Sequence, residues 1–446
     1  MKIFEFKVIQ FIYILLLVGM DLLVLLFSLK LAIYFRSGLL ADSLPFFDTL
    51  DIQKYYWIIA IVILMFVFEK IYFLRYDFWN DTKNVLKGLM FSALAVFTVI
   101  SLTKMSDDYS RIFILIFFAI TALLVPIFKR IFKRVLFLFD IFKVKVKVVA
   151  NSSQYDVLYE EIKKNWYLGL KNCEESYGMV LISSKNFDIA DLQELIARYT
   201  KETKDIYVIP YIDNLDLSHT NIIDYSNIRL SAIHIENRLL NYKNVFIKYI
   251  FEKVSVILIF PFALILHLLI FVLIKLDSKG GSIFKQKRLG KESKPFSCYK
   301  YRTMYIQNQE ILDKYLKENP DEIEYYSVYH KYKNDPRITK VGKFLRKTSL
   351  DEFPQFYNIL RGDMNLIGPR PYMLNEKENI GQYNEELILK VNPGITGLWQ
   401  VSGRNKLTFE QRVDLDTWYI QNWSLWMDFV VFMKTIKVVL FKVGAK

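Results

Sequence analysis

The chain has 446 residues, with 59 Lys and Arg against 46 Asp and Glu, giving a formal charge of +13. Its length excludes a single small domain, and 53% hydrophobic with 16% aromatic residues excludes intrinsic disorder. Basic charge in so apolar a chain points to anionic lipid or phosphate ligands rather than nucleic acid. Cys173 and Cys298 form no CxxC or zinc-finger spacing, and His219, His234, His267 and His330 are scattered, so catalysis is expected to rest on carboxylates and cations.

Four apolar stretches, Phe11–Leu29, Tyr55–Leu74, Val85–Leu102 and Ile112–Phe128, each approach the roughly 20 residues of a bilayer-spanning helix and predict a four-helix transmembrane bundle over 1–134. The first is read as a retained span: it follows Lys2 and Lys7, no small-residue cleavage site follows it, and three more spans come after. The loop 69–83 and the run Lys129, Arg130, Lys133, Arg134 are basic, while Asp42, Asp48, Asp51, Asp107 and Asp108 fill the alternate loops. Both ends of the bundle are therefore expected in the cytoplasm. Asp21, a lone carboxylate in the first span, receives no role.

From about Lys143 short β-branched runs alternate with amphipathic segments. Val146–Ala150, Met179–Ser183 and Ile206–Ile209 read as strands, and Tyr155–Trp166 and Ile189–Tyr199 as helices, of a Rossmann-like α/β cytoplasmic domain over 143–235. The turn Asn151-Ser152-Ser153 lacks the glycines that admit a pyrophosphate, so no dinucleotide is expected.

Val254–Ile274 is 21 residues without a formal charge, long enough to cross, but it contains Pro261. Lys243, Lys248 and Lys253 precede it and Lys275, Lys279, Lys285, Lys287 and Arg288 follow, so both flanks favour one membrane side. The expectation is a re-entrant membrane helix over 250–275, broken at Pro261; an ordinary fifth span with a proline kink is the alternative.

Between Lys275 and Arg302 nine cations face two acids, Asp277 and Glu292, and in Tyr299-Lys300-Tyr301-Arg302 a strand would aim Lys300 and Arg302 to one side. Asp335-Pro336-Arg337 follows, and then Arg346-Lys347-Thr348-Ser349-Leu350-Asp351-Glu352-Phe353-Pro354. Adjacent carboxylates among cations suit a divalent metal with a phosphorylated substrate, and a carboxylate can also attack phosphorus. Ser349 and Glu352 equally fit a helix capping box, although Pro354 removes an interior donor. Prolines on both sides of Arg370 fix its backbone for phosphate binding. Trp418, Trp423 and Trp426, with Lys434, Lys437 and Lys442, suit interfacial helices or a packed core.

The segment 244–446, with GSIFKQKRLGKESKPF (281–296), YKYRTM (299–304), DPRITKVGKFLRKTSLDEFPQ (335–355), LIGPRPY (366–372) and PGITGLWQVSGR (393–404), resembles the bacterial polyisoprenyl-phosphate hexose-1-phosphate transferases. The four spans and α/β unit upstream resemble the large, polytopic branch that starts O-antigen, capsule or exopolysaccharide assembly. The resemblance implies an α-helical membrane protein with α/β parts, in the bacterial inner membrane, whose α-rich catalytic domain faces the cytoplasm. It further implies Mg2+-dependent ping-pong transfer of a sugar-1-phosphate from a UDP-sugar, galactose or glucose in first place, to undecaprenyl phosphate with release of UMP. Asp351 would be the nucleophile and Glu352, with Asp351, the metal ligand; Lys300, Arg302, Arg337, Arg346 and Arg370 would serve phosphates or position the pair. One departure is Phe260 before Pro261, where the family often has Ser. A transporter or flippase would explain four spans but not the cations and carboxylates after Leu276. Membrane lipid is an expected partner, nucleic acid is not, and a homodimer through the bundle or α/β unit is left open.

Overall fold

In the computed structural model the described residues are 2–39, 52–103, 109–174, 177–203, 205–210, 221–225, 230–234, 238–306, 308–323, 332, 335–403 and 407–441. The acidic residues Asp42, Asp48, Asp51, Asp107 and Asp108 lie outside them, as do His219, His330, Arg404 and Lys442. The chain divides into two compact units, Met1–Leu215 and Asp216–Lys446.

The first unit begins with α1 (Lys2–Tyr34), α2 (Tyr56–Phe68), α3 (Phe78–Leu102) and α4 (Arg111–Leu136). Three of these, α1, α3 and α4, are long and apolar enough to cross a membrane. The fourth, α2, is shorter: its 13 residues reach about 20 Å at 1.5 Å per residue, against a hydrocarbon core of about 30 Å. The apolar run continues to Leu74 in sequence, but the helix stops at Glu69, and Lys70 takes a left-handed conformation at φ +56°. Leu17, Leu25 and Leu29 of α1 share a buried core with Val62, Val85, Phe113 and Phe117, whereas Leu23, Leu94 and Leu123 point outward.

The basic run at 129–134 lies within α4. Lys129 and Lys133, four residues apart, share one helix face and are both buried against Asp81, at 3.1 Å to Oδ1 and 2.8 Å to Oδ2. The Tyr167 hydroxyl donates to the same carboxylate at 2.7 Å. Only Arg130 and Arg134 of that run remain exposed.

Beyond the bundle, β1 (Val144–Val149), α5 (Ser152–Lys164), β2 (Leu170–Asn172), β3 (Met179–Ser183), α6 (Ile189–Thr200) and β4 (Asp205–Ile209) build an all-parallel sheet in the order β2-β1-β3-β4. The three expected strands and both helices are present; β2, only three residues long, carries too little alternation to be read from sequence. The Asn151 side chain donates to Lys185 O at 3.2 Å, tying the turn after β1 to the loop after β3.

The second unit opens with an antiparallel hairpin, β5 (Asn221–Tyr225) and β6 (Leu230–His234), and continues into α7 (Tyr242–Asp277). α7 bends by 59° between Tyr242–Pro261 and Ala263–Asp277. The cause is local: Pro261 has no N–H for the ladder, and its ring crowds the carbonyl four residues back. Leu258, Ile265, Leu268 and Leu269 around and after the bend are exposed.

Both limbs hold the same body. In the first limb Lys248 and Glu252 are buried, and Lys248 Nζ reaches Glu252 Oε1 at 2.8 Å, Asp428 Oδ2 at 2.6 Å and Ile367 O at 2.9 Å. In the second limb Ile270 and Ile274 pack with Tyr301 and Leu345, and Asp277 Oδ2 accepts from Val341 N at 3.0 Å. That body contains the antiparallel pair β7 (Ile283–Leu289) and β8 (Pro295–Tyr301), then α8 (Asn308–Glu318), α9 (Lys340–Thr348) and α10 (Gln355–Arg361). β9 (Asn365–Ile367), α11 (Gln382–Ile388), β10 (Gly394–Thr396), α12 (Leu398–Ser402), α13 (Phe409–Gln421) and α14 (Leu425–Phe441) complete it, with β9 and β10 parallel.

Trp423 belongs to this core, 2% exposed, with its indole N–H donating to Asp428 at 3.0 Å. Of the two readings left open for Trp423, interfacial or core, it takes the core one, because Asp428 gives the indole a buried acceptor.

Candidate active site

The carboxylate pair sits where two helices meet. α9 ends at Ser349, a left-handed C-cap at φ +57°; Leu350–Glu352 form one 3-10 turn; Pro354 then leads into α10. Ser349 makes no side-chain cap, so the capping-box reading of Ser349 and Glu352 is not realised. A left-handed residue at this position ends the first helix instead of starting the next.

Two close contacts fix the turn against β8. The buried Asn358 of α10 accepts from Tyr299 N at 3.1 Å and donates to Ser297 O at 2.8 Å. On the other side α9 presses on the end of β8, where a β carbon at Gly342 would lie 2.2 Å from Thr303 O. Lys300, on β8 between these anchors, reaches Glu352 Oε1 at 2.8 Å with both side chains half-buried. Arg346 donates from Nε to Thr303 Oγ1 at 2.9 Å.

Burial, and then the adjacent Glu352 charge, push the Asp351 carboxyl up to about 6, while Lys300 and Arg346 pull it back. The result is a carboxylate that is ionised at neutral pH, poorly solvated and surrounded by cations. Such a group can attack an electrophilic phosphorus.

Of the other expected residues, Arg337 is held by Asp335, Nε to Oδ1 at 2.8 Å and Nη2 to Oδ2 at 2.6 Å, and lies near enough to Arg346 for their charges to interact. Arg302 does not join Lys300. It donates to Lys279 O at 2.6 Å and to Ser278 O at 2.7 Å and Ser278 Oγ at 2.9 Å, closing the carbonyl end of α7. The alternation that sent both cations to one side stops at Tyr301, the last residue of β8. Pro261 stands at the bend of α7 and is no part of this cluster.

Arg370 is presented by a different loop. Gly368 donates to Thr396 O at 2.9 Å and Gly394 to Pro369 O at 2.8 Å, an approach so close that a β carbon at Gly394 would sit 2.1 Å from Gly368 N. Asp416, which the sequence reading passed over, accepts from Arg370 N at 3.0 Å and from the Tyr372 hydroxyl at 2.8 Å. Burial pushes Asp416 up to about 7, against those two hydrogen bonds. The Arg370 guanidinium lies 5.6 Å from the centre of the Trp399 ring, which also carries Arg412 at 5.2 Å. Arg288, buried and bonded to Pro371 O at 3.2 Å, feels the charges of both Arg370 and Glu352 and so links the two halves of the site electrostatically. Asn358 and Arg412 also escaped the sequence reading; nothing in local spacing marks Asn358, whose partners Tyr299 and Ser297 lie about 60 positions away.

Among the described residues no group of three or more His, Cys, Asp or Glu side chains could hold a metal alone. Asp351 and Glu352 form a two-carboxylate set, which fits Mg2+, an ion that completes its shell with water and substrate phosphates.

Residues 243–442 match the family model described as bacterial sugar transferase. The chain is 32% identical over 404 residues to an undecaprenyl-phosphate galactose phosphotransferase of Salmonella typhimurium, covering 84% of each chain. It is 32% identical over 413 residues to an uncharacterized sugar transferase of Haemophilus influenzae, covering 84% of this chain and 85% of the other. With a UDP-glucose:undecaprenyl-phosphate glucose-1-phosphate transferase of Escherichia coli it shares 32% over 271 residues, 58% of this chain and 54% of that one. Match, coverage and a half-buried Asp-Glu pair ringed by cations agree: the chain is a membrane protein of the bacterial sugar transferase family.

Proposed function

We propose that this sugar transferase moves a hexose-1-phosphate from a UDP-sugar to undecaprenyl phosphate and releases UMP, starting a surface glycan. The observation that carries the reading is the Asp351 carboxylate, half-buried beside Glu352, Lys300 and Arg346. A carboxylate oxygen of Asp351 attacks the sugar-bearing phosphorus; the bond from that phosphorus to the UMP oxygen breaks, leaving an aspartyl phosphosugar. An oxygen of the lipid phosphate then attacks the same phosphorus, and the acyl-phosphate bond breaks to return the carboxylate. Lys300 orients Glu352, and Arg346 with Arg370 binds phosphate oxygens whose charge grows during transfer. Mg2+ held by Glu352 and Asp351 would neutralise the donor's diphosphate. UMP release measured across a UDP-sugar panel, with undecaprenyl phosphate present, tests the reading; no release with any sugar sinks it.

The parallel order β2-β1-β3-β4 supports a Rossmann-like reading of 144–209 within 143–235, and the buried core shared by Val256, Tyr372 and Val431 supports 244–446 as the catalytic domain. The bend of α7, its two limbs bonded to one body and its exposed apolar side chains support a helix that enters and leaves from the cytoplasmic side. A single cysteine placed after Leu276 should be shielded from a membrane-impermeant thiol reagent in intact cells. Labelling from the periplasm would mean a full crossing.

The acidity of Asp351 gives a pH dependence. The nucleophile is the deprotonated form, so log kcat/KM should fall with unit slope as pH drops below about 6. Lys300 lowers the Asp351 value, so Lys300→Met should move that limb to higher pH. A profile flat from pH 5 to 8, or a limb that Lys300→Met leaves in place, would count against Asp351 as the group being titrated.

A further inference from the structure

A cavity of about 370 Å3 opens in the first unit, where the helical bundle adjoins the parallel sheet, lined by Phe78, Trp79, Arg130, Lys164 and Trp166 together with Asp77 and Glu161. We propose that it binds an anionic phospholipid, with the headgroup phosphate on Arg130 and Lys164 and an acyl chain along α4.

The acids of the cavity are already engaged. Asp77 Oδ1 accepts from Trp79 N at 2.8 Å and Asn80 N at 3.2 Å, capping α3, and Glu161 lies 3.7 Å from Lys164. Behind the wall, Lys129 and Lys133 are both engaged by Asp81. Arg130 stands apart: exposed, its guanidinium lies 4.4 Å from the centre of Phe78 and 5.7 Å from that of Trp166, and among the described residues it has no hydrogen bond or ion pair to a side chain. Arg134 adds a second cation 5.9 Å from the Trp166 ring. An exposed cation held over two aromatic rings is suited to an anion that the protein does not itself supply.

Depth and flank point to lipid. Arg130 lies six residues before the end of α4, about 9 Å along the axis, the level at which a headgroup layer about 5–8 Å deep meets hydrocarbon. On the same helix Leu123, Ile127 and Phe128, on the hydrocarbon side of Arg130, are exposed, an apolar strip that a soluble phosphate would leave uncovered and an acyl chain would cover. Indole rings are favoured at this level.

The test is native mass spectrometry of the full chain in detergent, titrated with phosphatidylglycerol or phosphatidylcholine, comparing wild type with Arg130→Gln and Trp166→Ala. Other basic surfaces contribute equally to all three proteins, so the difference reads this cavity. Arg130→Gln should weaken the tightest-bound phosphatidylglycerol about fivefold, the effect of one cation near a membrane surface, and leave phosphatidylcholine unchanged. Arg130→Lys should keep most of the affinity. Unchanged phosphatidylglycerol binding in both Arg130→Gln and Trp166→Ala overturns the proposal. So does displacement of that lipid by millimolar inorganic phosphate, which would make a soluble phosphate the ligand. Should Arg130→Gln fail to fold, Lys164→Gln on the exposed end of α5 reads the same contact, and unchanged binding there is equally fatal.

Discussion

Asp351→Asn should abolish transfer, lowering kcat by at least about 10^3-fold, as loss of a covalent nucleophile generally does. It should also remove labelling of the protein by a UDP-sugar carrying radiolabelled phosphorus next to the sugar. The substitution is nearly isosteric and leaves the Lys300–Glu352 pair, 2.8 Å apart, untouched, so folding should survive. Unfolding temperature and donor binding measured in the same preparation separate a lost nucleophile from a lost fold. Activity near wild type, or label retained on the variant, would remove Asp351 from the mechanism and leave Glu352 as the nearest carboxylate to consider.

The second large effect lies in the base of α7. Lys248 is 4% exposed and bonds two carboxylates, Glu252 and Asp428, with the Tyr419 hydroxyl donating to Asp428 Oδ1 at 2.6 Å and Ile367 N to Glu252 Oε1 at 3.3 Å. Lys248→Met deletes the cation and leaves both acids buried, which should cost about 3–5 kcal/mol in denaturant unfolding followed by tryptophan fluorescence. Replacing all three charges together, with Met, Gln and Asn at 248, 252 and 428, should recover part of that loss, because the charges that need compensation are then gone. A single substitution that unfolds like wild type would mean that Lys248 contributes little to holding the first limb. Neither change touches the Asp351 turn, so activity per folded molecule should persist in the triple variant.

How much of this was legible in sequence depended on the range of the interaction. The proline at 261, the adjacent acids at 351 and 352, and the apolar and β-branched periodicities act within a few residues, and these were read at the right places. α2 is shorter than its apolar run, because hydropathy continues past Phe68 although the backbone turns at Lys70. The basic run after the fourth span gave no sign that two of its lysines find Asp81, about fifty residues away. Arg302 was placed beside Lys300 because strand alternation was extended one residue past the end of β8.

Sequence alone thus determined the membrane character, the α/β segment, the helix break and the acid pair, because composition, periodicity and a missing N–H are properties of local chain. Tertiary structure alone decided which cations serve that pair. It put Lys300 on Glu352 and Arg346 near Asp351, sent Arg302 to the end of α7, and stationed Asp416 behind Arg370. Charge pairing follows distance in space after folding, and Lys300 and Glu352, 52 positions apart, or Arg370 and Asp416, 46 apart, carry no mark in the sequence of the partner they will meet.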